Sequence, residues 1–249
     1  MRNAFADEIE KLAAADERLV LLSGDIGNRL FDSFKARFPK RFYNCGVAEA
    51  NMASMAAGLA MCGLRPITYT ITPFNTTRCL EQIRNDICYH QQPVMIVGVG
   101  AGLSYGQLGC THHSCEDISF LKSLPNMTVL CPADPIELRL LLREAMHINS
   151  PVYFRIGKKG EPNVHTQLPS IEIGKGLVVK TGKDICLIST GNMLPIAIET
   201  QEILKKNNID TQVVSLHTVK PLDKKLLKQI FSAFNCVVSL EEHSLIGGL

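Results

Sequence analysis

The sequence predicts an α/β protein of two consecutive domains, each a mostly parallel sheet flanked by helices. Three observations carry that expectation. Short aliphatic or β-branched runs alternate with segments of helical period along the chain. Most of these runs are apolar at successive positions, as strands covered on both faces are. Asp134 and Pro135, an N-cap followed by a proline at the first helical position, open a helix directly after one such run.

In order, residues 3–16 form a helical period with Phe5, Ile9, Leu12 and Ala13 on one face. Residues 19–24 read as a buried strand ending in the turn residues Asp25 and Asn28, and residues 41–44 as a second strand. A helix opens at Glu49. Strands at 66–72, 93–100, 127–132 and 151–157 then alternate with helices at 76–90, at 116–124 and after Asp134. Between the strand at 93–100 and the helix at 116 lies a glycine-rich loop, residues 101–115, holding His112 and His113. The first domain spans 1–157. Residues 158–172, with Gly, Pro and charges but no period, read as a linker. A second α/β pattern fills 173–249, with strands near 176, 184, 211 and 236 and helices at 197–206 and 224–231.

The 249 residues are 46% hydrophobic and 20% charged, enough for a substantial core. A net charge of +2 without a basic block excludes a nucleic-acid partner and an anionic membrane surface as expectations. Asp7, Glu8 and Glu10 come too early for a signal peptide, and no apolar run is long enough for a bilayer, so a cytoplasmic protein is expected. The nine cysteines include no Cys-x-x-Cys pair, which favours reduced thiols. Cys110 and Cys115 flank Thr111, His112 and His113 at a spacing foreign to zinc sites, so no metal site is expected there.

The segment 43–63 is nearly uncharged and rich in Ala and Met; Glu49 is its one acid, and no further charge follows until Arg65. A helix apolar nearly all round belongs in an interior or a large subunit interface. An acid at its entrance has two readings. It caps backbone N–H groups, or it is a buried carboxylate shared with a nitrogen of a ligand.

Several motifs resolve this reading together: GDIGN at 24–28, NCGVAEANM at 44–52, QIRND at 82–86, GCTHHSCED at 109–117, LPNMTVLCPAD at 124–134 and EEHSLIGG at 241–248. In this order and spacing the chain resembles the C-terminal half of transketolases, especially the short subunit of split transketolases and the matching part of deoxyxylulose-phosphate synthase. The resemblance implies a pyrimidine-binding domain for thiamine diphosphate, followed by a transketolase C-terminal-like domain that reads as incomplete. Glu49 matches the glutamate that shares a proton with the cofactor's aminopyrimidine, and His112 the histidine facing the substrate. Phe74 is the implied stacking aromatic, Asp25 and Asn28 line the cofactor, and His113 and Arg155 contact the substrate, Arg155 through a sugar phosphate.

The resemblance further implies Mg2+ held by a separate diphosphate-binding subunit, in a homodimer or heterotetramer, with a sugar phosphate or 2-oxo acid as substrate. Leu108 and Gly100 stand where the family carries an acid and a histidine that read the donor. A 2-oxoacid dehydrogenase beta subunit and a non-catalytic assembly subunit are the competing readings.

Overall fold

The computed structural model describes every residue except Asn28 and Lys159. Its first half contains α1 (Arg2–Ala15), β1 (Leu19–Ser23), α2 (Asp32–Arg37), β2 (Phe42–Asn44), α3 (Glu49–Met61), β3 (Arg65–Ile71), α4 (Leu80–Gln82), β4 (Met95–Val99), α5 (Asp117–Ser123), β5 (Thr128–Leu130), α6 (Pro135–Ala145) and β6 (Val152–Ile156). The second half contains β7 (Leu177–Lys180), β8 (Ile185–Ser189), α7 (Leu194–Lys206), β9 (Thr211–Ser215), β10 (Thr218–Lys220), α8 (Lys224–Ala233) and β11 (Cys236–Leu240). Two sheets result, of seven strands (β10-β5-β6-β4-β3-β1-β2) and four (β11-β8-β9-β7).

The pleat explains why the strands of the large sheet read as unbroken apolar runs. Leu19 and Leu21 of β1 face Phe5, Ile9, Leu138 and Leu141 of α1 and α6, while Val20 and Leu22 face Met52, Ala53 and Ala56 of α3. The alternation recurs in β6, where Val152, Phe154 and Ile156 join the first cluster and Tyr153 the second. Fully burying a side chain such as Phe154 or Leu141 stabilises the fold by about 1.5–3 kcal/mol. At the N-cap of α6, Asp134 accepts from the backbone N–H of Ile136 and Glu137, the cap that the sequence foretold. Glu8 of α1 accepts from Arg139 and Arg143, which fastens α1 to α6.

Two elements depart from the sequence reading. The expected helix over 76–90 is three pieces: a 3₁₀ turn at Thr77–Cys79, one turn of α4, and a π-helix over Ile83–Tyr89. A π-helix is rare and is frequently found at functional sites. The strand β10 was not foreseen at all. It belongs by sequence to the second half, yet pairs antiparallel with β5 and extends the first sheet. Strand β7 is also antiparallel, to β9, within otherwise parallel pairing in the second sheet. No described helix is long and apolar enough to cross a membrane.

Candidate active site

The residues singled out by sequence collect at the carboxyl ends of the parallel strands, where open α/β sheets place their ligand contacts. Gly24 follows β1, Phe74 follows β3, and the loop carrying His112 follows β4. Glu49 is the first residue of α3 and lies against this rim. A Cβ added at Gly24 would sit 3.0 Å from the Thr70 Cβ and 3.4 Å from the Glu49 Cγ, so glycine is what lets the acid approach the strand ends.

Glu49 is 2% exposed. Among the described residues its carboxylate takes one side-chain hydrogen bond, donated to Oε2 by Nη1 of Arg78 at 2.8 Å. The same guanidinium lies 3.9 Å from the ring centroid of Phe74, a cation–π contact. Phe74 is half-buried and leans on the core below. His112 meets Phe74 edge-on at 5.1 Å, and Tyr105 meets His112 at 5.8 Å. Burial pushes the Cys79 thiol up to about 12, with the nearby Glu49 charge adding to the effect, so this neighbour stays a neutral thiol. The pair Glu49–Phe74 therefore offers a buried carboxylate beside an aromatic ring. That is the donor set required by a flat, nitrogen-bearing ring such as an aminopyrimidine, and the residues present fit it.

The loop is built to hold His112. Gly102 and Ser114 close its base by exchanging backbone hydrogen bonds of 3.0 and 2.9 Å. The His112 ring is tied through Nδ1 to the Thr111 hydroxyl at 2.9 Å, and His113 donates from Nε2 to the Gly106 carbonyl at 2.9 Å. The second half of the chain grips both ends of the loop. Glu242 accepts from the Leu103 N–H and from Asn192, and the Ser244 N–H donates to the Cys115 carbonyl. Gly102, at φ +59, is required here because a Cβ would fall 2.3 Å from the Glu242 carboxyl group. Gly100 is similar: at φ +80, its missing Cβ leaves room for the Tyr105 ring. Tyr105 thus fills the space beside His112 that a larger residue at position 100 would claim.

Arg155 is the correction. The sequence placed it at a strand end as a phosphate-reading arginine, but it is 3% exposed. It shares strand parity with Tyr153, so the pleat turns it inward to α5. Its Nε donates to Asp117 at 2.8 Å, and its Nη2 donates to the Ser114 and Glu242 carbonyls. Tyr153 donates to the same Asp117 oxygen at 2.6 Å. The guanidinium is committed to holding the loop, not presented to a substrate. The Tyr105 ring beside His112 instead carries a half-exposed cation, Lys158, whose Nζ lies 4.6 Å over it. Lys158 also lines a cleft of about 460 Å³ with Ser104, Glu161 and Asn192.

Asp25 sits on the lip of the site at φ +54 and accepts from the Asn44 side chain at 2.9 Å. Asn28, expected beside it, lies outside the described residues. Among the described residues no group of three or more His, Cys, Asp or Glu side chains is placed to hold a metal ion. The cysteines are free thiols, with Cys79, Cys88, Cys131 and Cys186 buried and Cys62, Cys110 and Cys236 exposed. Sequence reasoning missed Arg78, Tyr105 and Lys158. The signal available for the first was only its place four residues after Phe74.

Known proteins share both halves of the chain. Residues 1–162 match the model of the transketolase pyrimidine binding domain, and residues 174–249 that of the transketolase C-terminal domain. A putative transketolase C-terminal section of Methanocaldococcus jannaschii is 36% identical over 100% of this chain and 79% of its own length. One subunit of the apulose-4-phosphate transketolase of Phocaeicola vulgatus is 31% identical over 100% of this chain and 80% of its own. A solved structure described as a split gene transketolase, inactive beta4 tetramer, superposes with a TM-score of 0.91 at 36% identity, over 100% of this chain and 81% of that one.

Proposed function

The chain belongs to the transketolase family, and from that premise we propose that it is the pyrimidine-binding subunit of a two-component transketolase-type enzyme. The enzyme would move a carbon fragment from a ketose or 2-oxo acid donor to an aldehyde acceptor. Membership in the family implies dependence on thiamine diphosphate. When bound, that cofactor supplies the carbon nucleophile for breaking and making the C–C bond. The observation that carries the reading is the buried Glu49 carboxylate and the Phe74 ring, bridged by one guanidinium at the strand ends.

In this reading Glu49 holds a proton between its carboxylate and the ring nitrogen of the pyrimidine, and Phe74 stacks on the ring. Asp25 borders the same pocket. His112, fixed by Thr111 and by two aromatic edges, donates a hydrogen bond or a proton to the substrate oxygen. His113 keeps the loop in register through Gly106. Lys158 takes the place proposed for Arg155 as the cation facing a substrate phosphate. The diphosphate and its Mg2+ fall to a separate subunit.

The outer face of α3 supports a partner. Asn51, Ser54, Gly58 and Met61 are exposed on it, and Val47 just before it is 73% exposed. Of these Ser54 and Gly58 are small, which leaves room for a second chain to approach closely. The solved relative described as an inactive beta4 tetramer supports the expectation that such a chain without its partner turns over nothing. The test is co-purification from the native cell, followed by titration with thiamine diphosphate and Mg2+. A partner subunit and cofactor binding that collapses in Glu49→Ala support the proposal. Full turnover by this chain alone, or cofactor binding untouched by Glu49→Ala, refutes it.

A further inference from the structure

Glu49 poses a problem of access. A carboxylate that is to meet a ligand nitrogen is itself 2% exposed. Other groups of the chain already cover it. On the inner side lies the rigid backbone at Gly24, where an added Cβ would fall 3.4 Å from the Glu49 Cγ. The Arg78 side chain, which donates to the carboxylate, is itself 42% exposed and begins in a 3₁₀ turn at the rim. A long side chain with one end in water can swing away, whereas the strands cannot.

We infer that Arg78 is a latch on the pocket: it occupies the two contacts, to Glu49 and to the face of Phe74, that an incoming planar nitrogen ring must take. The inference rests on the reading of Glu49 and Phe74 as the ligand-holding pair. The chemistry of the match is specific. A guanidinium is flat, donates hydrogen bonds to a carboxylate and stacks on an aromatic ring, so it satisfies both groups at once. It spares Glu49 the cost of standing buried and unpaired. A ligand must therefore displace Arg78 before it binds, and its apparent affinity is reduced by the fraction of time the latch is closed. Arg78 also excludes ligands that cannot replace both contacts, such as aliphatic amines that hydrogen-bond without stacking.

The first arm of the test needs neither partner nor turnover. The folded chain is labelled with a water-soluble carbodiimide and glycine ethyl ester, and the modification of Glu49 is read by peptide mass spectrometry against the exposed Glu81. In Arg78→Gln the labelling of Glu49 rises by at least about tenfold relative to Glu81, the factor by which a closed latch hides the site. Arg78→Lys keeps the charge but loses the planar stack, and gives an intermediate rate; it carries the test if the Gln variant fails to fold by circular dichroism. Unchanged labelling in both variants overturns the latch, since another group then covers Glu49. A second arm repeats the labelling on the complex purified with its partner, across a titration of thiamine diphosphate with Mg2+. The latch requires that half-protection of Glu49 come at lower cofactor concentration in Arg78→Gln than in the wild type. A higher concentration makes Arg78 part of the holding set and overturns the proposal. Faster labelling of the variant with no cofactor protection in either complex leaves the latch standing and removes the cofactor reading.

Discussion

Two buried glutamates, Glu49 and Glu137, show how differently one residue type can be used in one fold. Glu137 of α6 is fully buried and accepts three hydrogen bonds: from the Ala133 N–H at 2.7 Å, His165 Nε2 at 3.0 Å and the Ser215 hydroxyl at 2.7 Å. Its donors come from its own helix entrance, from the segment joining the halves and from β9. Glu49 is as deeply buried, but its side-chain donor is the half-exposed Arg78. An acid saturated by fixed elements is a fastening. An acid held by one movable side chain is kept for something else.

The strongest test of this contrast swaps the charge at each acid. Glu49→Gln in the assembled enzyme is expected to lower kcat/KM by about 10²–10⁴, the usual weight of a proton-holding group, with little change in Tm. Glu137→Ala is expected to do the reverse, lowering stability by about 3–5 kcal/mol because it leaves buried donors without a partner. Urea unfolding of the two variants beside steady-state kinetics checks both; a large Tm loss in Glu49→Gln would erase the distinction. Arg155 falls on the Glu137 side. Arg155→Lys is expected to cost about 1–3 kcal/mol through lost hydrogen bonds to Asp117 and the loop carbonyls, read by the same unfolding curves.

The pH dependence sharpens the comparison further. Burial pushes the Glu137 carboxyl up, but His165, the neighbouring His217, the Ala133 N–H and Ser215 outweigh it, and the net position is below the usual carboxylate value. Its contribution is present above the unfolded pKa of about 4.3 and is lost as pH falls through the lower folded value. Burial lowers His165, and the bond and charge of Glu137 more than reverse this, so its folded pKa is raised. That contribution is full below the unfolded value of about 6.5 and fades as pH rises through the folded one. His217, lowered chiefly by burial, acts in the opposite sense and loses stability as pH falls. The Tm gap between wild type and His165→Gln is therefore expected to be widest near pH 6 and to narrow towards alkaline pH, which a thermal melt series measures. The smallest effect is at Lys158. Lys158→Ala is expected to raise KM for a phosphorylated substrate by about tenfold or less, with unchanged Tm and kcat, as removal of a half-exposed charge contact does.

The strands and helices that position the site were legible because their burial is two-sided and their caps are local: Asp134 with Pro135, or the unbroken run of β1. Glu49 and His112 were picked out by motif spacing and Phe74 as the nearest aromatic for the stacking role the resemblance implies, and the three lie at one rim. Arg155 was misread because a motif fixes a position in the chain and not the side of the sheet. The parity it shares with Tyr153, itself buried against α5, was the clue. Arg78 was missed because nothing local in its segment ties it to Glu49, 29 residues upstream. The three-residue β10 has no period to detect, and its pairing with β5 is a long-range contact that no local pattern encodes.

That strand has a consequence for how the molecule holds together. With β10 in place, Cys131 donates its N–H to the His217 carbonyl, and Lys220 donates from Nζ to the carbonyls of Lys122 and Leu124. Without it, β5 would become a bare sheet edge. The two sequence domains are thus not beads on a string. They are expected to melt in a single cooperative transition. A protease that nicks residues 158–172 is expected to leave two fragments that elute together, each still supplying the strand or the edge that the other lacks.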